Sequence, residues 1–197
     1  MTIDQLRSEF ESNLKRGLDT ENIADLSNDN LMSVVMESLH ISPPNDLHEA
    51  VKIDEFGKAK STKFSHAIVF NFSQVMQVIL TGAVNATAAV SFPWAGVLGT
   101  LLFVEQLRQS TSLNLSENAA KAAWALWKID SQSEAGEREV AISKAVSVLR
   151  AEMGAKSLGL ITDGEFSLAI AELEKLSVIE QIDEDICKLI DVIRVNK

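Results

Sequence analysis

One cysteine, three prolines, nine glycines and a deficit of basic residues set the first limits on this chain of 197 residues. With only Cys187 present, no internal disulfide framework exists, and folding must rest on a hydrophobic core. A chain of this length with 46% hydrophobic residues buries enough to do so, and the scarcity of proline and glycine separates it from disordered, collagenous and low-complexity sequences. Against 28 acidic residues stand 18 basic ones, a net charge of −10. The basic residues do not cluster: the densest group, Lys52, Lys58, Lys60 and Lys63, is interleaved with Asp54 and Glu55. A phosphate backbone meets repulsion under those conditions, so nucleic acid is not the expected partner.

The usual catalytic patterns are missing as well. Neither a Walker sequence nor G-x-G-x-x-G occurs, and the glycine pair in AGVLGT lacks the lysine that meets a phosphate, so Gly96 and Gly99 read as close-packing positions in a helix. No G-x-S-x-G elbow or papain-like surround is found, and Cys187, between Ile186 and Leu189, reads as a buried structural thiol. The three histidines, His40, His48 and His66, are too widely spaced for an i, i+4 metal pair. Glu9 with Glu11, and Glu172 with Glu174, are i, i+2 pairs that a helix points to different sides. The reading is therefore no enzyme, no metal and no cofactor. The opening segment carries Asp4, Glu9 and Glu11 where a secretion signal needs a basic end and an apolar run, which leads to the expectation of a cytoplasmic location.

What is present is a series of helical signals. Thr2 and Gln5 form a capping-box pattern ahead of Ile3, Leu6, Phe10 and Leu14, with Gly17 as the expected end. A second stripe, Leu31, Val34, Val35 and Leu39, follows the cap candidates Ser27 to Asn30 and stops at Pro43-Pro44. The segment NDLHEAVKIDEF is read as a short helix. From Phe64 to Val104 no acidic or basic residue occurs, and Gly82 and Pro93 divide this run into two apolar helices joined by small residues, with Pro93 at a first helical position. Ser116 caps a helix through ENAAKAAWALWKI; VAISKAVSVLRAEMG, closed by Gly154, is another. Thr162 and Glu165 form a capping box before EFSLAIAELEKLS, with Phe166, Leu168, Ile170, Leu173 and Leu176 as core candidates. The last twenty residues are rich in β-branched side chains and read as two strands turning at Asp183, Glu184 and Asp185, with a helix as the competing reading.

From Glu117 to Val195, the succession of helices and then two β-rich segments around LEKLSVIE resembles a winged-helix domain, with EFSLAIAELEKLS as its third helix and the acidic turn as its wing. DNA-binding members present Arg, Lys, Asn or Gln from that helix. Here Asp163, Glu165, Glu172, Glu174 and Lys175 stand outside the apolar stripe, and the resemblance instead implies a protein-interaction module.

The fold expected is mainly α: a helical bundle over residues 1–114 with two central uncharged helices, and a winged-helix-like module with a small β-hairpin over 115–197. The function expected is non-catalytic recognition of another protein, a basic one included, in the manner of adaptors, inhibitors or immunity factors, through an acidic surface. Its contact candidates are Trp124, Trp127, Glu172, Glu174, Asp183, Glu184 and Asp185. Two rivals stand beside it. One is a membrane-active effector that inserts a hairpin over 64–104 through Phe92, Trp94, Leu98, Leu101, Leu102 and Phe103, since Ala83 to Val104 matches the roughly 20 residues that cross hydrocarbon. The other is a transcription regulator. A homo-oligomer is left open.

Overall fold

In a computed structural model of the protein, residues 2–20, 29–42, 50–53, 59–62, 67–81, 94–108, 115–132, 138–156 and 158–196 are described. Their elements are α1 (Ile3–Thr20), α2 (Asp29–Ser38), β1 (Leu39–Ser42), β2 (Ala50–Ile53), β3 (Ala59–Thr62), β4 (Ala67–Asn71), α3 (Phe72–Leu80), α4 (Ala95–Arg108), α5 (Glu117–Asp130), β5 (Glu139–Ala141), α6 (Ile142–Ala155), α7 (Asp163–Lys175), β6 (Ile179–Gln181), β7 (Ile186–Leu189) and β8 (Val192–Asn196). Helices dominate, and among the described residues three small antiparallel sheets accompany them, in the orders β1-β4-β8, β2-β3 and β5-β7-β6.

Three of the helix starts read from sequence are capped as expected. Thr2 and Gln5 bond reciprocally, the Gln5 side chain accepting from the Thr2 N–H at 2.8 Å. The Ser116 hydroxyl accepts from the Ala119 N–H, and Thr162 and Glu165 close a full capping box. Each satisfies backbone donors that a helix start leaves without an internal partner. Gly17 does not end α1, which runs on to Thr20.

Several expectations are corrected. The second stripe does not stay helical to its end: Leu39–Ser42 leaves α2 as a strand paired with β4. Ala50–Ile53, expected in a short helix, is a strand paired with Ala59–Thr62. The remainder of that expected helix, with Phe92, Pro93, His48 and His66, lies outside the described residues. Most important, the first uncharged segment is not one helix. Ala67–Asn71 is a strand whose Ile68 and Phe70 point inward on alternate positions, and only Phe72–Leu80 is helical. Asn71 makes the switch: its side chain accepts from the Gln74 N–H at 3.1 Å and so caps α3. Further strands not expected are β5 ahead of α6 and β8 at the C-terminal end.

β8 pairs with β4 in antiparallel register, placing Phe70 opposite Ile193, while Leu39 of β1 faces Phe70 from the other side. All three are buried, so the C-terminal strand closes a layer begun before residue 72. Main-chain hydrogen bonds thus tie residues 67–71 to residues 192–196, and the buried residues form one cluster from Leu6 to Ile193.

At its centre lies α4. Gly99 lets α1 come close, for a Cβ there would sit 2.6 Å from the Leu14 Cα. At Gly96 a Cβ would only touch Ile79, at 3.6 Å. Phe103 packs edge to face against Phe10 at 5.2 Å and Phe70 at 5.5 Å, so one ring of α4 joins α1 to the sheet. Removing such a ring costs about 3–5 kcal/mol. Thr100, in the middle of this apolar helix, satisfies its hydroxyl by donating to the Gly96 carbonyl at 2.9 Å.

Trp94, Leu98, Leu101 and Phe103, offered as insertion residues, are buried, and Leu102 is partly buried against the same core. Among the described residues no helix is long and apolar enough to cross a membrane. The absence of charge from residues 94–104 has a sufficient cause in the neighbours of α4, namely α1, α3, α5 and β4, which keep it from water.

Candidate interaction surface

The outward-facing residues with a shared character lie on α7 and the turn between β6 and β7. α7 buries Phe166, Ala169, Ile170 and Leu173 and turns Asp163, Gly164, Ser167, Leu168, Ala171, Glu174 and Lys175 outward. Its start is fixed from α6, since Arg150 donates to the Ile161 carbonyl at 3.1 Å and to Asp163 at 2.7 Å. Its end is fixed by Ser177, which takes the left-handed conformation at φ 48°. The Ser177 N–H donates to the Glu174 carbonyl and the Val178 N–H to that of Leu173, a Schellman-type closure with both Val178 and Leu173 buried. From α4, Arg108 donates to the Ser177 hydroxyl at 2.9 Å.

The turn at 182–185 is built by its own carboxylates. Asp183 Oδ1 accepts from the N–H groups of Asp185 and Ile186, both at 2.8 Å. Asp185 accepts from the Ser143 N–H at 2.7 Å and the Ser143 hydroxyl at 2.8 Å, satisfying donors in the first turn of α6. Asp183, Glu184 and Asp185 are all exposed, yet the two aspartates hold the turn while Glu184 projects from it.

Of the contact candidates, Glu174 is exposed on α7, and Asp183, Glu184 and Asp185 are exposed in the turn between β6 and β7. Glu172 does not share that exposure: it is partly buried and bonded to Ser116. Trp124 and Trp127 lie in the core instead of on the surface. They are 4% and 2% exposed, Trp124 edge to face with Trp94 at 6.1 Å and Trp127 with Phe72 at 5.0 Å. Lys128 lies 4.4 Å from the Trp124 ring centroid and Lys121 5.4 Å from that of Trp94, capping the aromatic cluster with cations.

Leu168 is the residue that sequence reading misplaces. Expected in the core, it is 67% exposed. The signal is there, because Leu168 is two positions from both Phe166 and Ile170 and so falls off the stripe of 166, 169, 170 and 173.

The surface is strongly acidic. From Asp163 to Leu189, α7 and the hairpin hold eight carboxylates against Lys175 and Lys188, a net −6 of the chain's −10. Seven of the eight are exposed, Glu172 being the exception. Glu165 is held below the ordinary carboxyl range by hydrogen bonds from the Thr162 backbone and then its hydroxyl. Away from this face, Arg138 joins the two halves: it contacts Ser73 of α3 and Asp191 ahead of β8 and lies 3.7 Å from Asp130 of α5. Burial raises the pKa of Asp130, partly offset by that guanidinium.

Cys187 is buried, donates to the Val140 carbonyl at 3.6 Å, and has its pKa pushed up to about 11 by burial. His40 is exposed on β1. Among the described residues no three His, Cys, Asp or Glu side chains gather as metal ligands do. Comparison with protein-family models, curated proteins and solved structures finds no match.

Proposed function

We propose that the chain is a non-catalytic interaction protein that recognises a basic region of another protein through the acidic face formed by α7 and the β6–β7 hairpin. The observation that carries this reading is the concentration of net charge −6 within residues 163–189, where every carboxylate except Glu172 is exposed. A surface of that sign draws cations from beyond contact distance and speeds encounter, and salt weakens it. The carboxylates are also held in place: Asp183 and Asp185 are fixed by backbone and serine donors, so little ordering is required when a partner arrives.

A winged-helix-like module is the scaffold that best accommodates these elements. Support comes from the order α5, β5, α6, α7, β6, β7 and from the sheet order β5-β7-β6, in which the strand ahead of the second helix pairs with the last strand of the hairpin. A duplex-reading role for the same module finds no support, since Asp163 and Glu174 on the outer face of α7 and Glu184 at the turn would meet phosphates with like charge.

The test is capture from the native cell with the full chain and with a variant carrying Glu174→Gln, Glu180→Gln and Glu184→Gln. These side chains are exposed, so the variant is expected to fold and to lose the partner that the wild type retains at low salt. Equal recovery by both proteins contradicts the reading.

A further inference from the structure

The outer face of α7 combines one large apolar side chain with small neighbours and an acidic rim. Leu168 is 67% exposed. One turn to either side, at i−4 and i+3, stand Gly164 and Ala171, with Ser167 alongside, and all three are exposed. A projecting leucine between residues this small leaves room for another backbone to approach closely. Leu160, just before the helix, is 61% exposed and extends the apolar character toward the N-terminal end. Asp163, which also accepts from Arg150, and Glu165 of the capping box stand at that end and Glu174 at the other, with Lys175 the one cation that α7 itself turns outward.

We propose that this face of α7 is a docking site for a basic amphipathic helix of a partner protein, whose apolar stripe covers Leu168 and Ala171 while its Lys and Arg side chains meet Asp163, Glu165 and Glu174. The inference rests on the acidic-surface reading above and adds to it a position and an apolar anchor. Charge complementarity selects the occupant. A second copy of this chain would set the same carboxylates against one another, and an anionic membrane or a nucleic acid meets the same repulsion; a basic helix gains on both terms. Recognition of an amphipathic helix uses anchors at helical spacing, and Leu168 with Ala171 offers a matching i, i+3 pair.

The experiment measures fluorescence anisotropy of the full chain with a labelled Lys/Leu amphipathic helical peptide and with a Lys/Gln peptide of equal charge that lacks the apolar stripe. The Lys/Leu peptide is expected to bind at least ten-fold more tightly than the Lys/Gln peptide, with salt weakening both. Leu168→Asp is expected to weaken the Lys/Leu peptide at least ten-fold with an unchanged melting temperature. That substitution adds negative charge, so the loss reports the apolar contact. Equal binding of the two peptides, or full binding by Leu168→Asp, overturns the proposal. So does a concentration-dependent dimer that Leu168→Asp abolishes, or binding of anionic vesicles in preference to the peptide. If Leu168→Asp still captures the cellular partner that the triple glutamine variant loses, the α7 site fails while the acidic-surface reading stands; if the glutamine variant also retains it, both fail.

Discussion

One carboxylate oxygen of Glu172 accepts two hydrogen bonds from Ser116, from the N–H at 2.9 Å and from the hydroxyl at 2.8 Å. The same hydroxyl accepts from the Ala119 N–H at 3.2 Å, so α7 holds the cap of α5 through a side chain two residues from the exposed Glu174. Hydrogen bonds to a charged group contribute about 1.5–3 kcal/mol. Glu172→Ala is expected to lower unfolding free energy by that order, and Glu174→Ala to change it by less than about 0.5 kcal/mol. Denaturant titration of the two variants checks the contrast, and equal effects would remove Glu172 from its role in the cap.

Gly99 and Gly96 lie one turn apart on α4 and are expected to respond with opposite sign. A methyl at position 99 meets the Leu14 backbone, which cannot step aside, and overpacking of that kind costs about 1–3 kcal/mol. At position 96 it makes an ordinary contact with Ile79, and the helical preference for Ala over Gly, about 1 kcal/mol, is free to act. Thermal melts of Gly99→Ala and Gly96→Ala should move in opposite directions.

Helix starts are legible in the sequence because they depend on a few adjacent residues. Thr162 with Glu165, Thr2 with Gln5, and Ser116 each carry their partners within three positions. The turn at Asp183 to Asp185 is legible for the same reason. The strand Ala67–Asn71 is not, because its pairing partners, 39–42 and 192–196, lie far away in the chain, and an apolar run without charge reads the same in a buried strand and a buried helix. Short β5 is hidden likewise, its ladder being completed by residues 186–188. On the surface, the acidic character of α7 and the hairpin is visible, but the inward turn of Glu172 depends on Ser116, which only folding brings near.

The capping box of α7 gives a pH signature. Glu165 has a folded pKa below the 4.5 of a free carboxyl, so its ionised form favours the native state. That contribution is fully present above 4.5 and is lost as pH falls through the lower folded value. The melting-temperature gap between wild type and Glu165→Ala is expected to be constant near neutrality and to narrow below pH 4.5. A gap that widens on acidification would assign the effect to another group.

Cys187 offers a native-state probe. Buried and with its pKa raised to about 11, the thiol is neutral and covered at mildly alkaline pH, whereas a free cysteine ionises near about 8.5. Reaction with a disulfide reagent is expected only through opening of the β5–β7 pairing, so its rate should rise steeply with denaturant. Immediate stoichiometric labelling of the native protein would contradict the burial.

Zero-length carbodiimide cross-linking of the full chain in native lysate, followed by peptide mapping, distinguishes the acidic faces directly because it joins carboxylates to lysines in contact. Recognition through α7 and the hairpin predicts partner lysines joined to Glu174, Glu180 or Glu184. Partner lysines joined instead to Asp4, Glu9 or Glu11 of α1, with none on α7 or the hairpin, would contradict it.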